Sequence, residues 1–186
     1  MAGFWASFFF ITAAEMGDKT QLVALSFATR YKPWKVIGGV FLATLLVHLL
    51  SVVIGRETST LIPIHYIKLL VGLSFIGFGF WTLRGDKLGD TETTTGRFGP
   101  LLTVAAAFFL AELGDKTQLA TISLAAQYGS WVGVWLGSTL GMVVADGLAI
   151  IVGIVAGKKL PAQAIKIVSA VIFIGFGVFT LIKALV

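Results

Sequence analysis

The stretch Glu15-Met-Gly-Asp-Lys-Thr-Gln-Leu22 recurs as Glu112-Leu-Gly-Asp-Lys-Thr-Gln-Leu119, each time inside a long apolar run. A charge at the centre of a membrane helix costs roughly 2.5–3.5 kcal/mol on insertion scales, so acids kept there are typically functional. A purely structural ion pair would rarely be duplicated together with its glycine, threonine and glutamine. The doubled motif therefore indicates a transport site.

The composition predicts an all-α integral membrane protein. Hydrophobic residues make up 57% of the 186 residues and charged residues 12%, whereas soluble domains carry about 25% charged residues. A helix needs roughly 20 apolar residues to cross about 30 Å of hydrocarbon. Six runs meet this length and are predicted to be transmembrane helices: residues 4–28, 34–55, 64–83, 100–126, 130–156 and 162–183.

Several classes are excluded or disfavoured. The chain has no cysteine, which excludes disulfides and thiolate metal sites. Its basic residues lie at the predicted helix ends, so the net charge of +5 reflects membrane orientation and not nucleic-acid binding. No basic region precedes the first apolar run, which predicts a retained helix and not a signal peptide.

The whole chain is one unit duplicated. The motif copies are 97 residues apart, and the offset becomes 98 from Gly39 and Gly137 onward; Phe75-Ile-Gly-Phe-Gly79 recurs at 173–177. We predict a first three-helix repeat at 1–84, a cytoplasmic linker loop at 85–99 and a second repeat at 100–186. Because each repeat has three spans, the second must enter from the opposite side, which gives the inverted repeats of many secondary transporters.

The distribution of basic residues predicts the orientation. Cytoplasmic loops are enriched in lysine and arginine, so the loops after spans 1, 3 and 5 are predicted to be cytoplasmic and both termini to lie outside. The residues on the cytoplasmic side are Arg30, Lys32, Lys35, Arg84, Lys87, Arg97, Lys158, Lys159 and Lys166, and those on the other side are Arg56, Lys68 and Lys183.

The motif supplies hard oxygen ligands. Positions three apart share one face of a helix, so a continuous helix would align the two acids and the glutamine of each copy near the bilayer centre. Such oxygens suit Mg²⁺, Ca²⁺ and Mn²⁺. Gly17 and Gly114 disfavour a regular helix and indicate a loosened turn. The predicted ligands are Glu15, Asp18, Gln21, Glu112, Asp115 and Gln118.

Other polar residues are predicted to support the site. Acids in hydrocarbon favour their protonated form, so protons can replace the departing cation and couple the two flows. The motif lysines would compensate charge, and the motif hydroxyls are weaker candidates because hydroxyls readily bond their own helix. The supporting residues are Lys19, Thr20, Lys116 and Thr117, together with His48 and Asp146, which occupy equivalent positions of spans 2 and 5.

Glycines at four-residue spacing indicate where helices meet. Gly133, Gly137 and Gly141 form one such series, and Gly39 with Ala43 forms a weaker small-residue pair. Small residues at this spacing allow two helix backbones to approach closely. We assign these glycines to packing and not to chemistry.

Two other functions fit the same residues less well. A channel or an exporter of a cationic amino acid would use the acids to bind an ammonium group. An intramembrane enzyme is disfavoured, because no Ser/His/Asp set is present and the acids are symmetric across the halves instead of differentiated into acid and base. We therefore predict a transporter and not an enzyme.

The doubled Glu-x-Gly-Asp-Lys-Thr motif, in the first span of each half, resembles uncharacterised protein family 0016 of the lysine-exporter superfamily, and the resemblance covers nearly the whole chain. It implies transport of Mn²⁺ or Ca²⁺ by cation/proton antiport, with Glu15, Asp18, Glu112 and Asp115 as the motif acids and no resident cofactor. The chain lacks the long extension of eukaryotic relatives, which implies a bacterial inner-membrane protein. Substrate choice, proton stoichiometry and oligomeric state stay open.

Overall fold

The computed structural model describes residues 1–84, 99–156 and 162–185, and these are all-helical, with eight α-helices and no β-strand. The predicted loop at 85–99 lies outside the described residues except for Gly99, as do Lys158 and Lys159. The helices are α1 (Ala2–Glu15), α2 (Lys19–Ala28), α3 (Pro33–Leu61), α4 (Ile64–Arg84), α5 (Pro100–Glu112), α6 (Lys116–Gln127), α7 (Trp131–Ala156) and α8 (Ala162–Leu185).

The two motif copies break their helices, so the prediction of a continuous helix through each motif was wrong. α1 ends at Glu15 and α2 begins at Lys19, and the same break separates α5 from α6. At each break the glycine adopts a left-handed conformation, with φ of 79° at Gly17 and 80° at Gly114. An L side chain rarely adopts this φ. The loosened turn that these glycines predicted is confirmed.

Despite the break, α1 and α2 continue along one neighbour. Close to the start of α1, the backbone of Phe4 lies against Gly137 of α7, and Leu25 of α2 lies against Gly153 further along α7. Residue numbers increase in the same direction along α1–α2 and along α7, so the broken pair α1–α2 packs parallel to α7.

The second half repeats this arrangement. A Cβ on Gly39 of α3 would lie 2.7 Å from Val104 of α5, and one on Gly55 would lie 2.7 Å from the Cβ of Ala125 in α6. The broken pair α5–α6 therefore packs parallel to α3. Glycines allow this close approach of helix backbones, and the predicted packing role of Gly39, like that of Gly137, is confirmed.

α4 and α8 form an antiparallel pair. A Cβ on Gly72 would lie 2.9 Å from the carbonyl oxygen of Gly177, and one on Gly79 would lie 3.1 Å from that of Ala170. Residue numbers thus increase along α4 in the direction in which they decrease along α8. The pair also packs against α1 and α6, and this connection distinguishes the two ends of the molecule.

We call the end where α1 begins and α6 ends the first end, and the end where α2 ends and α5 begins the second end. At the first end, Phe10 of α1 contacts three aromatic rings of α4 and α8, with centroids 4.4 Å from Phe75, 5.1 Å from Phe173 and 4.6 Å from Phe176. The core at the second end comprises residues of α2, α3, α5 and α7. The bundle is therefore closed by α4 and α8 at the first end.

The surface of the bundle is apolar. Each helix exposes large hydrophobic side chains, and α3 and α7 are each long and apolar enough to cross a membrane alone, with shorter apolar segments in α4, α5 and α8. Charged motif residues are buried instead. An apolar surface around buried charged side chains is the arrangement expected of a protein in lipid. Examples on the eight helices are Phe9, Leu22, Leu46, Leu73, Leu110, Leu119, Ile151 and Val171.

Candidate functional site: two helix breaks facing each other

The four motif acids lie inside the bundle at the two helix breaks. Glu15 and Glu112 are fully buried, and Asp18 and Asp115 are 5% and 4% exposed. Glu15 interacts electrostatically with Glu112, so the two copies face each other across the halves. Buried like charges that interact with one another need protons, cations or positive side chains to be stable.

A threonine holds each motif glutamate. The Thr117 hydroxyl donates to Glu112 Oε2 at 2.7 Å, and the Thr20 hydroxyl donates to Glu15 Oε1. Thr20 and Thr117, which the sequence ranked as weaker supporting residues, therefore bond the motif acids and not the backbone of their own helix. Because each helix ends at the glutamate and restarts one residue before the threonine, the hydroxyl lies beside the carboxylate. The break thus fixes one oxygen of each glutamate.

Each motif glutamine accepts a hydrogen bond from the backbone amide of the glycine at its break. The Gly17 amide donates to Gln21 Oε1 at 2.8 Å, and the Gly114 amide donates to Gln118 Oε1 at 2.6 Å. These amides lie outside regular helix, where a buried backbone N–H needs a partner. The glutamine carbonyls that were predicted to bind a cation therefore already accept a hydrogen bond each.

One lysine connects the two copies. Lys116, in the second copy, lies 3.0 Å from Asp18 Oδ2 in the first, and both side chains are almost completely buried. Lys116 also interacts electrostatically with Glu15 and Asp115. The side chain of Lys19, the equivalent residue, lies outside the described part. The ion pair joins the second copy of the motif to the first.

α7 contributes the remaining polar contacts. Gln21 Nε2 donates to the carbonyl of Ala145 at 3.0 Å. The adjacent Asp146 is 1% exposed and interacts electrostatically with Glu15 and Asp18. Asp146, predicted as a supporting residue, is therefore brought to the motif. The carbonyl of Ala145 was missed, because a backbone acceptor has no sequence signal.

His48, the counterpart of Asp146 in α3, is also fully buried. Its Nδ1 lies 3.4 Å from the hydroxyl oxygen of Thr139 in α7. This contact links α3 to α7 and does not include a motif residue. The structure thus brings one of the two predicted supporting residues of spans 2 and 5 to the motif acids.

The arrangement buries negative charge, and the ammonium group of Lys116 balances part of it. Among the described residues, no three His, Cys, Asp or Glu side chains are grouped closely enough to hold a metal ion. The carboxylates are instead held by Thr20, Thr117 and Lys116. Chemically, such a site can exchange a divalent cation for protons or for the lysine ammonium, since each neutralises the same carboxylates.

Known proteins match the chain over most of its length. The family model "Divalent cation/proton antiporter GDT1" matches residues 3–90 and 100–186. A Vibrio cholerae protein named "Putative manganese exporter" is 40% identical over 168 residues, covering 88% of this chain and 82% of that protein. A GDT1-like protein of Synechocystis is 29% identical, covering 96% of each chain, and GDT1-like protein 3 of indica rice is 30% identical, covering 94% and 71%. No solved structure matches.

Proposed function

The chain belongs to the GDT1 family of divalent cation/proton antiporters, and from this we propose that it exports Mn²⁺, with Ca²⁺ as a second substrate, in exchange for protons across the bacterial inner membrane. The observation that carries the proposal is the burial of two identical acid motifs, face to face, at two helix breaks. Intramembrane carboxylates and broken helices mark ion sites in transporters.

In this proposal the four motif carboxylates bind the cation. Glu15 and Glu112 each have one oxygen held by a threonine, which leaves the other oxygen for the cation. Gln21 and Gln118 each accept a hydrogen bond from the glycine amide at the break, and their carbonyls remain available as secondary ligands because a carbonyl oxygen has two lone pairs. Mn²⁺ and Ca²⁺ accept such oxygen ligands.

Lys116 is the switch between loaded and unloaded states. A cation at Asp18 repels the ammonium group that otherwise lies 3.0 Å from that carboxylate. Binding therefore separates the second copy of the motif from the first. After the cation leaves, protons on the acids and the lysine neutralise the site, so a proton travels in the direction opposite to the cation.

The fold proposed for the membrane is six spans in two inverted repeats, 1–84 and 100–186, joined at 85–99. Its support is the direction of helix packing. α1–α2 runs parallel to α7, α5–α6 runs parallel to α3, and α4 runs antiparallel to α8. Three spans per repeat produce this set of directions when each broken pair counts as one span and the second repeat is inverted.

The packing asymmetry supports alternating access. α4 and α8 seal the first end through Phe10, whereas at the second end an open apolar groove of about 550 Å³ lies between α3 and α5 and is lined by residues that include Leu102 and Phe109. These two residues are the counterparts, at offset 97, of Trp5 and Thr12, which line a cavity beside α8. We propose that the other state moves the α4–α8 pair onto α5 and α2.

The test is cation flux in proteoliposomes under an imposed pH gradient. We expect Mn²⁺ uptake to follow the opposing proton gradient and to exceed Mg²⁺ uptake, with Ca²⁺ and lysine measured in parallel vesicles. In purified protein, Mn²⁺ affinity should fall as the pH falls, because protons compete for the same carboxylates. Calorimetry in two buffers of different ionisation enthalpy then reports the protons released on binding.

Three results would each overturn part of this proposal. Flux of lysine without Mn²⁺ flux identifies an exporter of cationic amino acids. Mn²⁺ flux that does not depend on the pH gradient identifies a uniporter or channel. Affinity that is unchanged from acid to neutral pH removes proton competition from the mechanism.

The orientation is tested with single cysteines, for which this cysteine-free chain needs no background changes. Thr60, near the end of α3 at the first end, and Thr29, just after α2 at the second end, are both exposed. We expect a membrane-impermeant maleimide to label Thr60→Cys in intact cells, and Thr29→Cys after permeabilisation alone. Labelling in the reverse pattern would place both termini in the cytoplasm.

A further inference from the structure

Asp146 carries a buried carboxylate that the motif does not account for. It lies in the middle of α7, is 1% exposed, and neither carboxylate oxygen has a hydrogen-bond partner among the described residues. Buried polar atoms in native proteins are satisfied by a partner in the large majority of cases. An unsatisfied carboxylate at membrane depth is therefore open to a cation or a proton.

The position of Asp146 points to the cation. The residue before it, Ala145, accepts the hydrogen bond from Gln21, which fixes this turn of α7 against the first copy of the motif. The negative charge of Asp146 interacts with those of Glu15, Asp18 and Glu112. These acids face it from α1, from the α1–α2 break and from α5.

The counterpart of Asp146 in the first repeat is His48, so the two repeats do not supply equal charge. His48 faces Thr139, whereas Asp146 faces the motif acids. Asp146 is thus a further carboxylate that interacts with Glu15 and Asp18 at the first break, while the counterpart position in the other repeat carries an imidazole. Carboxylates are preferred ligands of Mn²⁺ and Ca²⁺.

We propose that Asp146 is a further ligand of the transported cation, recruited with Glu15 and Asp18 at the first break when these carboxylates, which are not grouped closely enough to hold a metal ion in this structure, converge on the cation. This rests on the proposed cation transport and adds a ligand from outside the duplicated motif. The cation is held more tightly at the first copy than at the second, because the first copy has the additional carboxylate.

The test is Mn²⁺ binding to the purified full-length chain, measured by calorimetry and by the Mn²⁺ electron paramagnetic resonance signal. We expect Asp146→Asn to weaken Mn²⁺ binding by at least about 10–100-fold, the loss typical of altering even an outer-shell partner of a metal. Asp146→Glu, which retains a carboxylate, should recover part of the affinity. Ser138→Ala is the matched control, since this buried α7 hydroxyl donates to the carbonyl of Val134 in its own helix.

Thermal unfolding separates a ligand from a structural residue. With a chelator present, Asp146→Asn should melt at or above the wild-type temperature, because an unsatisfied buried charge has been removed, and it should lose most of the Mn²⁺-dependent increase. A variant that fails to fold, or that melts lower with the Mn²⁺-dependent increase intact, identifies Asp146 as structural and overturns the proposal.

The outcome is separable from that of the proposed function. If the wild-type chain binds no Mn²⁺ or Ca²⁺, cation transport itself is refuted. If the wild type binds Mn²⁺ and Glu15→Gln abolishes binding, but Asp146→Asn binds with wild-type affinity, cation transport stands and Asp146 is not a ligand.

Discussion

Replacing Glu15 by glutamine is expected to lower Mn²⁺ export by about 100-fold or more, because it removes a proposed ligand of the cation, and altering even an outer-shell partner of a metal typically costs about 10–100-fold. The same loss is expected for Glu112→Gln, Asp18→Asn and Asp115→Asn. Each substitution keeps the size of the side chain and removes a charge that is costly in lipid, so insertion into the membrane should be retained. Initial export rates in cells loaded with Mn²⁺ measure the effect.

The matched control for this series is Glu57→Gln. Glu57 is an exposed acid near the end of α3, so its substitution removes the same charge outside the site and should leave export close to wild type. Full export by any two of the four motif variants would show that the copies do not form one shared site. Loss of export together with loss of membrane insertion would instead show a folding defect.

The family and the burial of the motif acids inside the bundle were predictable from the sequence, because charge in an apolar run has few explanations. The resemblance based on the doubled motif is confirmed by the family match over residues 3–90 and 100–186. The break at each motif was only partly predictable. Gly17 and Gly114 indicated a loosened turn, but the left-handed φ that ends the helix is a property of the folded backbone.

The contacts that distinguish the two copies could not be predicted from a duplicated sequence. The repeated motif does not indicate that Lys116 of the second copy pairs with Asp18 of the first. Phe75 and Phe173 are equivalent residues, and both contact Phe10 at the first end. Such a difference between equivalent residues is a property of one conformation. In another conformation the two residues can exchange environments, so the sequence alone does not predict it.

Locking the first end is expected to stop transport. Phe10 of α1 and Phe176 of α8 have ring centroids 4.6 Å apart, so cysteines at the two positions are within reach of a short bifunctional methanethiosulfonate reagent. If α4 and α8 must leave α1 during the cycle, the crosslinked protein remains in one state. Mn²⁺ exchange should then fall to the rate of protein-free vesicles and return on reduction.

The control crosslink joins α4 to α8. Phe75 and Phe173 have ring centroids 5.8 Å apart, and in the proposed motion these two helices move together, so a crosslink between cysteines there should leave exchange unchanged. Both double variants must transport before crosslinking, since each replaces two aromatic side chains. Undiminished exchange with Phe10→Cys and Phe176→Cys crosslinked would mean that the first end opens without separating α1 from α8. Loss of exchange in both crosslinked proteins would instead mean that α4 and α8 move relative to each other, as the packing of Gly72 against Gly177 would then have to break in every cycle.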